Sequence, residues 1–119
     1  MRVMVIVKAT AESEDGKLPS RELMAAMGEF NQKLIAAGVM VDGGGLKPTA
    51  DGARVAFDGA KRTVRLGRFG IIGELASGYW IWKVNDLDEA IGWVKQCPNP
   101  TPGPSEIEIR PLYEMEDFA

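Results

Sequence analysis

Hydrophobic residues recur along this chain with two different periods, and the alternation between them predicts the order of elements. Val3 to Val7 is a short continuous apolar run rich in β-branched residues, the pattern of a central strand buried on both faces. Ala9 to Lys17 is polar and contains Gly16, which predicts a loop. Pro19 and Ser20 then open a helix, with Ser20 as its cap and Glu22 in the first turn, where negative charge suits the helix dipole. Leu23, Met27, Phe30 and Leu34 recur at helical spacing, Met24 and Ile35 widen the stripe, and Gly38 supplies the stop. Val39 to Val41 predicts a short strand, followed by Gly43, Gly44 and Gly45. Val55 and Phe57 alternate with polar neighbours, as do Val64 and Leu66. Asp58-Gly59 between the two runs is a hairpin signal.

Gly67 to Gly73 is a glycine-punctuated loop, and Tyr79 to Val84 is a second core strand, aromatic on both sides. Asp86 caps a second helix with Glu89 at the reciprocal position; Leu87, Ala90, Ile91 and Val94 share one face, with Trp93 at its edge. Pro98, Pro100, Pro102 and Pro104 end that helix near Cys97. Ile107, Ile109 and Leu112 form a last strand whose Pro111 suits a sheet edge, and Glu114 to Ala119 is an acidic tail. The predicted order is β-α-β, a hairpin, then β-α-β: one α+β domain over residues 1–119, of ferredoxin-like plan with an inserted hairpin.

That plan carries a packing demand. Two helices cover one face of a four-stranded sheet. Trp80 and Trp82 point one way along their strand, Tyr79 and Ile81 the other, so one apolar set is left in water. Soluble monomers seldom expose such a patch, and a second copy related by a two-fold axis is the commonest cover, so a homodimer is expected.

Composition narrows the chemistry more than the fold. The 119 residues include no histidine and one cysteine, which argues against zinc, haem and Cys–His catalysis and predicts no metal and no cofactor. The lone Cys97 leaves no internal disulfide, as suits a reducing compartment. No apolar run approaches the ~20 residues of a membrane span, and residues 1–8 lack the basic leader of a signal peptide, so a cytoplasmic protein without membrane contact is expected. A net charge of −3 gives no global pull toward nucleic acid.

At Gly43-Gly44-Gly45-Leu46-Lys47-Pro48 and at Gly78-Tyr79-Trp80 the chain resembles the YCII-related family, in particular its DGPF branch. The resemblance continues through Glu29-Phe30-Asn31-Gln32-Lys33-Leu34, Val84-Asn85-Asp86-Leu87-Asp88-Glu89-Ala90 and Glu108-Ile109-Arg110-Pro111-Leu112. It implies a dimeric α/β-barrel of ferredoxin-like protomers. Where the branch carries Asp-Gly-Pro-Phe, this chain has Leu66-Gly67-Arg68-Phe69, and Ile71 and Gly73 replace residues that are usually polar. The His–Asp pair attributed to some members has no counterpart in a chain without histidine.

Three groups of residues are candidate sites. Arg68, Glu74 and Tyr79, beside the altered loop, place a carboxylate near a guanidinium and a phenol, enough to bind a small polar molecule or move a proton; the plainer reading is solvated loop charges beside a core tyrosine. Trp80, Trp82 and Phe69 are assigned to core or dimer contacts. Glu106, Glu108 and Arg110 share one face of the last strand, either lining a barrel or merely facing water. The basic stretch Lys47, Arg54, Lys61, Arg62, Arg65 and Arg68 could meet phosphates, but it lacks interleaved exposed aromatics, and charge also protects an exposed edge. Met24 and Met27 read as core filler, and Cys97 at a helix C-terminus as an unreactive thiol. The leading expectation is small-molecule binding by a dimer. The alternatives are a lyase- or isomerase-like enzyme using Glu74, and a non-catalytic interaction module associated with transcription regulation.

Overall fold

A computed structural model describes residues 1–119 as an α+β protein. Its elements are β1 (Arg2–Lys8), α1 (Ala11–Glu14), α2 (Arg21–Ala36), β2 (Met40–Gly45), β3 (Ala53–Asp58), β4 (Lys61–Leu66), β5 (Ala76–Lys83), α3 (Leu87–Lys95) and β6 (Ile107–Pro111). Four strands form an antiparallel sheet in the order β2-β5-β1-β6, an order compatible with a ferredoxin-like fold. β3 and β4 form a separate two-stranded ribbon.

Local chemistry fixes the helices. Ser20 accepts from the Leu23 amide at 3.1 Å to start α2, and Asp86 accepts from the Glu89 amide at 2.8 Å to start α3. Glu89 reaches back to the Asn85 amide at 2.7 Å, one residue earlier than a standard capping box. Gly38 ends the α2 segment at φ +72°, a conformation open to glycine.

Four sequence expectations need correction. The segment 9–17 is not all loop: the Ser13 amide donates to Thr10 Oγ1 at 3.1 Å and the Thr10 amide to Ser13 Oγ at 2.9 Å, a reciprocal cap of the single turn α1. β2 does not stop at Val41 but runs through all three glycines, because they lie against the aromatic strand β5. A Cβ at Gly43 would sit 2.9 Å from Trp80 Cδ1, so the missing side chain admits the indole. The buried stripe of α2 is also narrower than its periodicity suggests: Phe30 and Leu34 are buried, whereas Met24 and Ile35 are both exposed. Met24 is therefore not core filler, although Met27 does pack against the core. The last strand ends at Pro111, one residue before Leu112.

The core lies between one sheet face and the two long helices. Val3, Val5, Trp80 and Trp82 project from the sheet, meeting Phe30 and Leu34 of α2 and Ala90 of α3. The Phe30 ring stands edge-on to both indoles, with centroids 5.8 and 6.2 Å away, a favourable quadrupole arrangement. Trp80 Nε1 donates to Asn31 Oδ1 at 2.9 Å, while Trp82 Nε1 is buried without a partner. This core is thin, since 12 of 119 residues are buried. The radius of gyration is 16.3 Å, against about 13–14 Å for a compact chain of this length.

Candidate functional site

The loop Leu66–Phe69 is clamped at the root of the β3–β4 ribbon. Glu14, the one buried acidic side chain, accepts from Thr49 Oγ1 at 2.6 Å and from the Thr49 amide at 3.2 Å. Thr49 Oγ1 in turn accepts from the Phe69 amide at 3.4 Å, and the Gly67 amide donates to the Gly52 carbonyl at 3.0 Å. A Cβ at Gly67 would overlap the Thr49 carbonyl oxygen, so the loop can lie this close only with glycine there. This anchor was not read from the sequence. Its signal was the Thr10-x-x-Ser13 cap, which turns the chain so that Glu14 faces Thr49.

Basic side chains gather on the loop. The Arg54 guanidinium lies 4.1 Å from the centre of the Phe69 ring and that of Arg65 5.9 Å from the same ring, both within cation–π range. Arg54 and Arg65 are direct cross-strand partners, and neither has a carboxylate partner. Like charges in that register repel. Arg68 lies beside them but turns to Asp15, with both terminal nitrogens 3.3 Å from Oδ1.

The three residues expected at the site are thus placed differently. Arg68 is exposed and paired with Asp15; Glu74 is exposed in a 3₁₀ turn, Ile72–Glu74, with no side-chain hydrogen bond; no hydrogen bond joins Arg68, Glu74 and Tyr79 to one another. Tyr79 stands half-buried on the sheet face opposite the helices, its ring over Gly44, where a Cβ would lie 3.6 Å from Cε1. Trp80 and Trp82 are core, whereas Phe69 packs under the arginines of the ribbon.

Around Tyr79 the second sheet face has a definite pattern. Met4 pairs with Ile81 and Ile6 with Tyr79, giving a two-by-two apolar centre that no long helix covers. The flanking register positions are Asp42 and Gly44 on one side and Arg110 and Glu108 on the other. Glu108 receives a 2.8 Å bond from Lys8 Nζ and lies 3.8 Å from Arg110. The Lys8 hydrogen bond chiefly holds the Glu108 carboxyl below its ordinary pKa, with the Lys8 charge adding to it.

Two open clefts lie elsewhere. One, of about 560 Å³, is lined by residues including Arg2, Lys83, Glu114 and Asp117; its Glu114 carboxyl is held below its usual range mainly by the Arg2 hydrogen bond. The other, of about 390 Å³, lies between Val94, Cys97, the proline-rich loop and Ile107. Burial pushes the Cys97 thiol up to about 11, and its Sγ lies 3.3 Å from the Pro98 carbonyl oxygen, which keeps it protonated and unreactive at neutral pH. No helix is long and apolar enough to cross a membrane.

Residues 1–116 match the sequence profile of the YCII-related domain. No curated protein matches the chain.

Proposed function

Because the chain belongs to the YCII-related family, we propose that it works as a homodimer of ferredoxin-like protomers in a dimeric α/β-barrel, and that it binds a small polar molecule beside the loop Leu66–Phe69. The observation that carries the dimer is the second sheet face. Met4, Ile6, Tyr79 and Ile81 form an apolar centre with Asp42, Glu108 and Arg110 around it, the layout of an interface with a desolvated centre and a polar rim. The thin core supports the same reading, since a chain that buries so little alone gains most from burying more against a copy.

The ligand reading rests on charge. Arg54 and Arg65 oppose each other without a carboxylate, beside Arg68 and an aromatic ring, so a small acid would relieve their repulsion. Glu74, whose neighbour Leu75 lies with Arg54 beside Gly70, is the polar group available to orient the rest of such a molecule, while Tyr79 belongs to the sheet face. Binding rather than catalysis is proposed, because Glu74 is exposed and no hydrogen bond fixes its carboxylate in place for proton transfer. Placement in the DGPF branch and in the cytoplasm is part of the same proposal.

Titration with a panel of small mono- and dicarboxylates, followed by amide chemical shifts, tests the ligand. Saturable shifts at Arg54, Arg65 and Phe69 that vanish in Arg65→Ala are expected. Scattered, non-saturating shifts would remove the ligand reading and leave the dimer standing.

A further inference from the structure

We infer that the β3–β4 ribbon of one copy receives the C-terminal segment Tyr113–Phe118 of a second copy. This rests on the homodimer proposed above and adds to it an interface separate from the sheet face.

The ribbon is two-faced. Arg54 and Arg65 project over Phe69, toward the loop of their own chain. Val55 and Val64, Ala53 and Leu66, and Phe57 lie on the opposite face. There nothing in the chain covers them: Phe57 is 73% exposed and Leu66 75%. An isolated two-stranded ribbon is at best marginally stable in water and needs packing on one face. The ribbon is also basic, with Arg54, Lys61, Arg62 and Arg65 against the single acid Asp58, and Arg62 stacks 4.3 Å over Phe57 on the apolar side.

The C-terminal segment has the opposite chemistry. Tyr113, Met115 and Phe118 are strongly exposed, and the Tyr113 and Phe118 rings stack at 5.2 Å. Glu114, Glu116 and Asp117 surround them. The segment is already ordered: the Leu112 amide donates to the Arg2 carbonyl at 2.9 Å, the Glu114 carboxylate pairs with Arg2 at 3.0 Å, and Asp117 accepts from the Glu114 amide at 2.7 Å. A preformed acidic, aromatic knob and a basic, apolar arm are electrostatic and hydrophobic complements.

One chain cannot join them. The ribbon follows β2, at one edge of the sheet, and its root lies by Lys8 and Ala76. The knob follows β6, at the other edge, by Arg2 and Lys83 at the opposite strand ends. A two-fold axis brings each knob to the other copy's ribbon and closes the pair reciprocally, leaving neither surface open.

The test removes residues 115–119, which keeps Glu114 on Arg2, and measures dimer dissociation by sedimentation equilibrium together with hydrogen exchange of ribbon amides. Phe118→Ser and the double variant Lys61→Glu/Arg62→Glu serve as point-change versions. The dissociation constant is expected to rise at least about tenfold in each, with ribbon amides losing protection. A dimer whose constant and ribbon exchange are unchanged by all three variants overturns this inference and leaves the sheet-face dimer intact. A full chain that is monomeric at micromolar concentration overturns both.

Discussion

On the helix-covered sheet face and on one face of the β3–β4 ribbon apolar side chains recur at every second position, yet the two faces have opposite surroundings. The strands β1 and β5 are apolar on both faces, the ribbon on one. Val3, Val5, Trp80 and Trp82 are almost wholly buried, because α2 and α3 lie over them. Val55, Phe57, Val64 and Leu66 stay in water, because the ribbon pairs with nothing beyond itself. Alternation specifies which side of a strand is apolar; it does not supply the layer that covers it. Where the chain supplies no layer, the apolar side marks where another molecule belongs. The second face of the main sheet is intermediate: Met4, Ile6, Tyr79 and Ile81 are half-buried by their neighbours and still lack a covering layer.

The contrast is sharpest in paired truncations. Trp82→Ala leaves a cavity among Phe30, Trp80 and their neighbours and should lower unfolding stability by about 3–5 kcal/mol. Phe57→Ala removes a ring that touches little of its own chain besides Arg62, so monomer stability should change by no more than about 0.5 kcal/mol. Urea denaturation of both variants, at protein concentrations low enough to dissociate the dimer, measures the difference; equal losses would mean that the ribbon is packed against its own chain. Next in size, Glu14→Ala should cost about 1–3 kcal/mol, because it leaves the Thr49 amide and hydroxyl without their acceptor. Faster hydrogen exchange at Thr49 and Phe69 would report the loosened loop, and unchanged exchange would show that Glu14 does not hold it.

Much of this fold is legible in the sequence, and the exceptions have physical causes. Ser20, Gly38, Asp86 and the Asp58-Gly59 turn announce themselves because each acts within four residues of where it stands. The sequence pattern makes β2 too short, because glycine signals a break unless its strand neighbour is large enough to need the space, as Trp80 is. Met24 and Ile35 extend the helical stripe yet lie in water, because periodicity gives a direction and not a width of contact. At the candidate site Arg68, Glu74, Tyr79 and Phe69 were visible as residue types. Glu14, Thr49 and the Arg54–Arg65 pairing were not, since their contacts span 35 residues for Glu14–Thr49 and depend on ribbon register.

Smaller effects separate packed from open regions by their ionisation. Cys97, pressed between α3 and the proline loop, has a raised pKa, so its contribution to stability is complete below the free-thiol value and is lost as pH rises toward about 11. Alkylation at pH 8 should be slow in the folded protein and fast in denaturant; equal rates would mean that the thiol is not packed. The partly exposed pairs Lys8–Glu108 and Arg2–Glu114 act in the other direction. Their carboxyls have lowered values, so their stabilisation is present above the ordinary carboxylate pKa and disappears as pH falls through the lowered one. Being partly exposed, they should shift the thermal midpoint only slightly, and salt should reduce that shift further.

The uncovered sheet face is the centre of this account, and Ile81→Asp tests it most directly. Ile81 lies at the middle of the apolar patch, opposite Met4 and away from the core tryptophans. Light scattering at micromolar concentration should give the native chain twice its 12.9 kDa mass and the variant a single mass, with the far-ultraviolet circular dichroism of the two unchanged. A native chain of single mass, or a variant that remains a dimer of undiminished affinity, would contradict the claim that this face is where two copies meet.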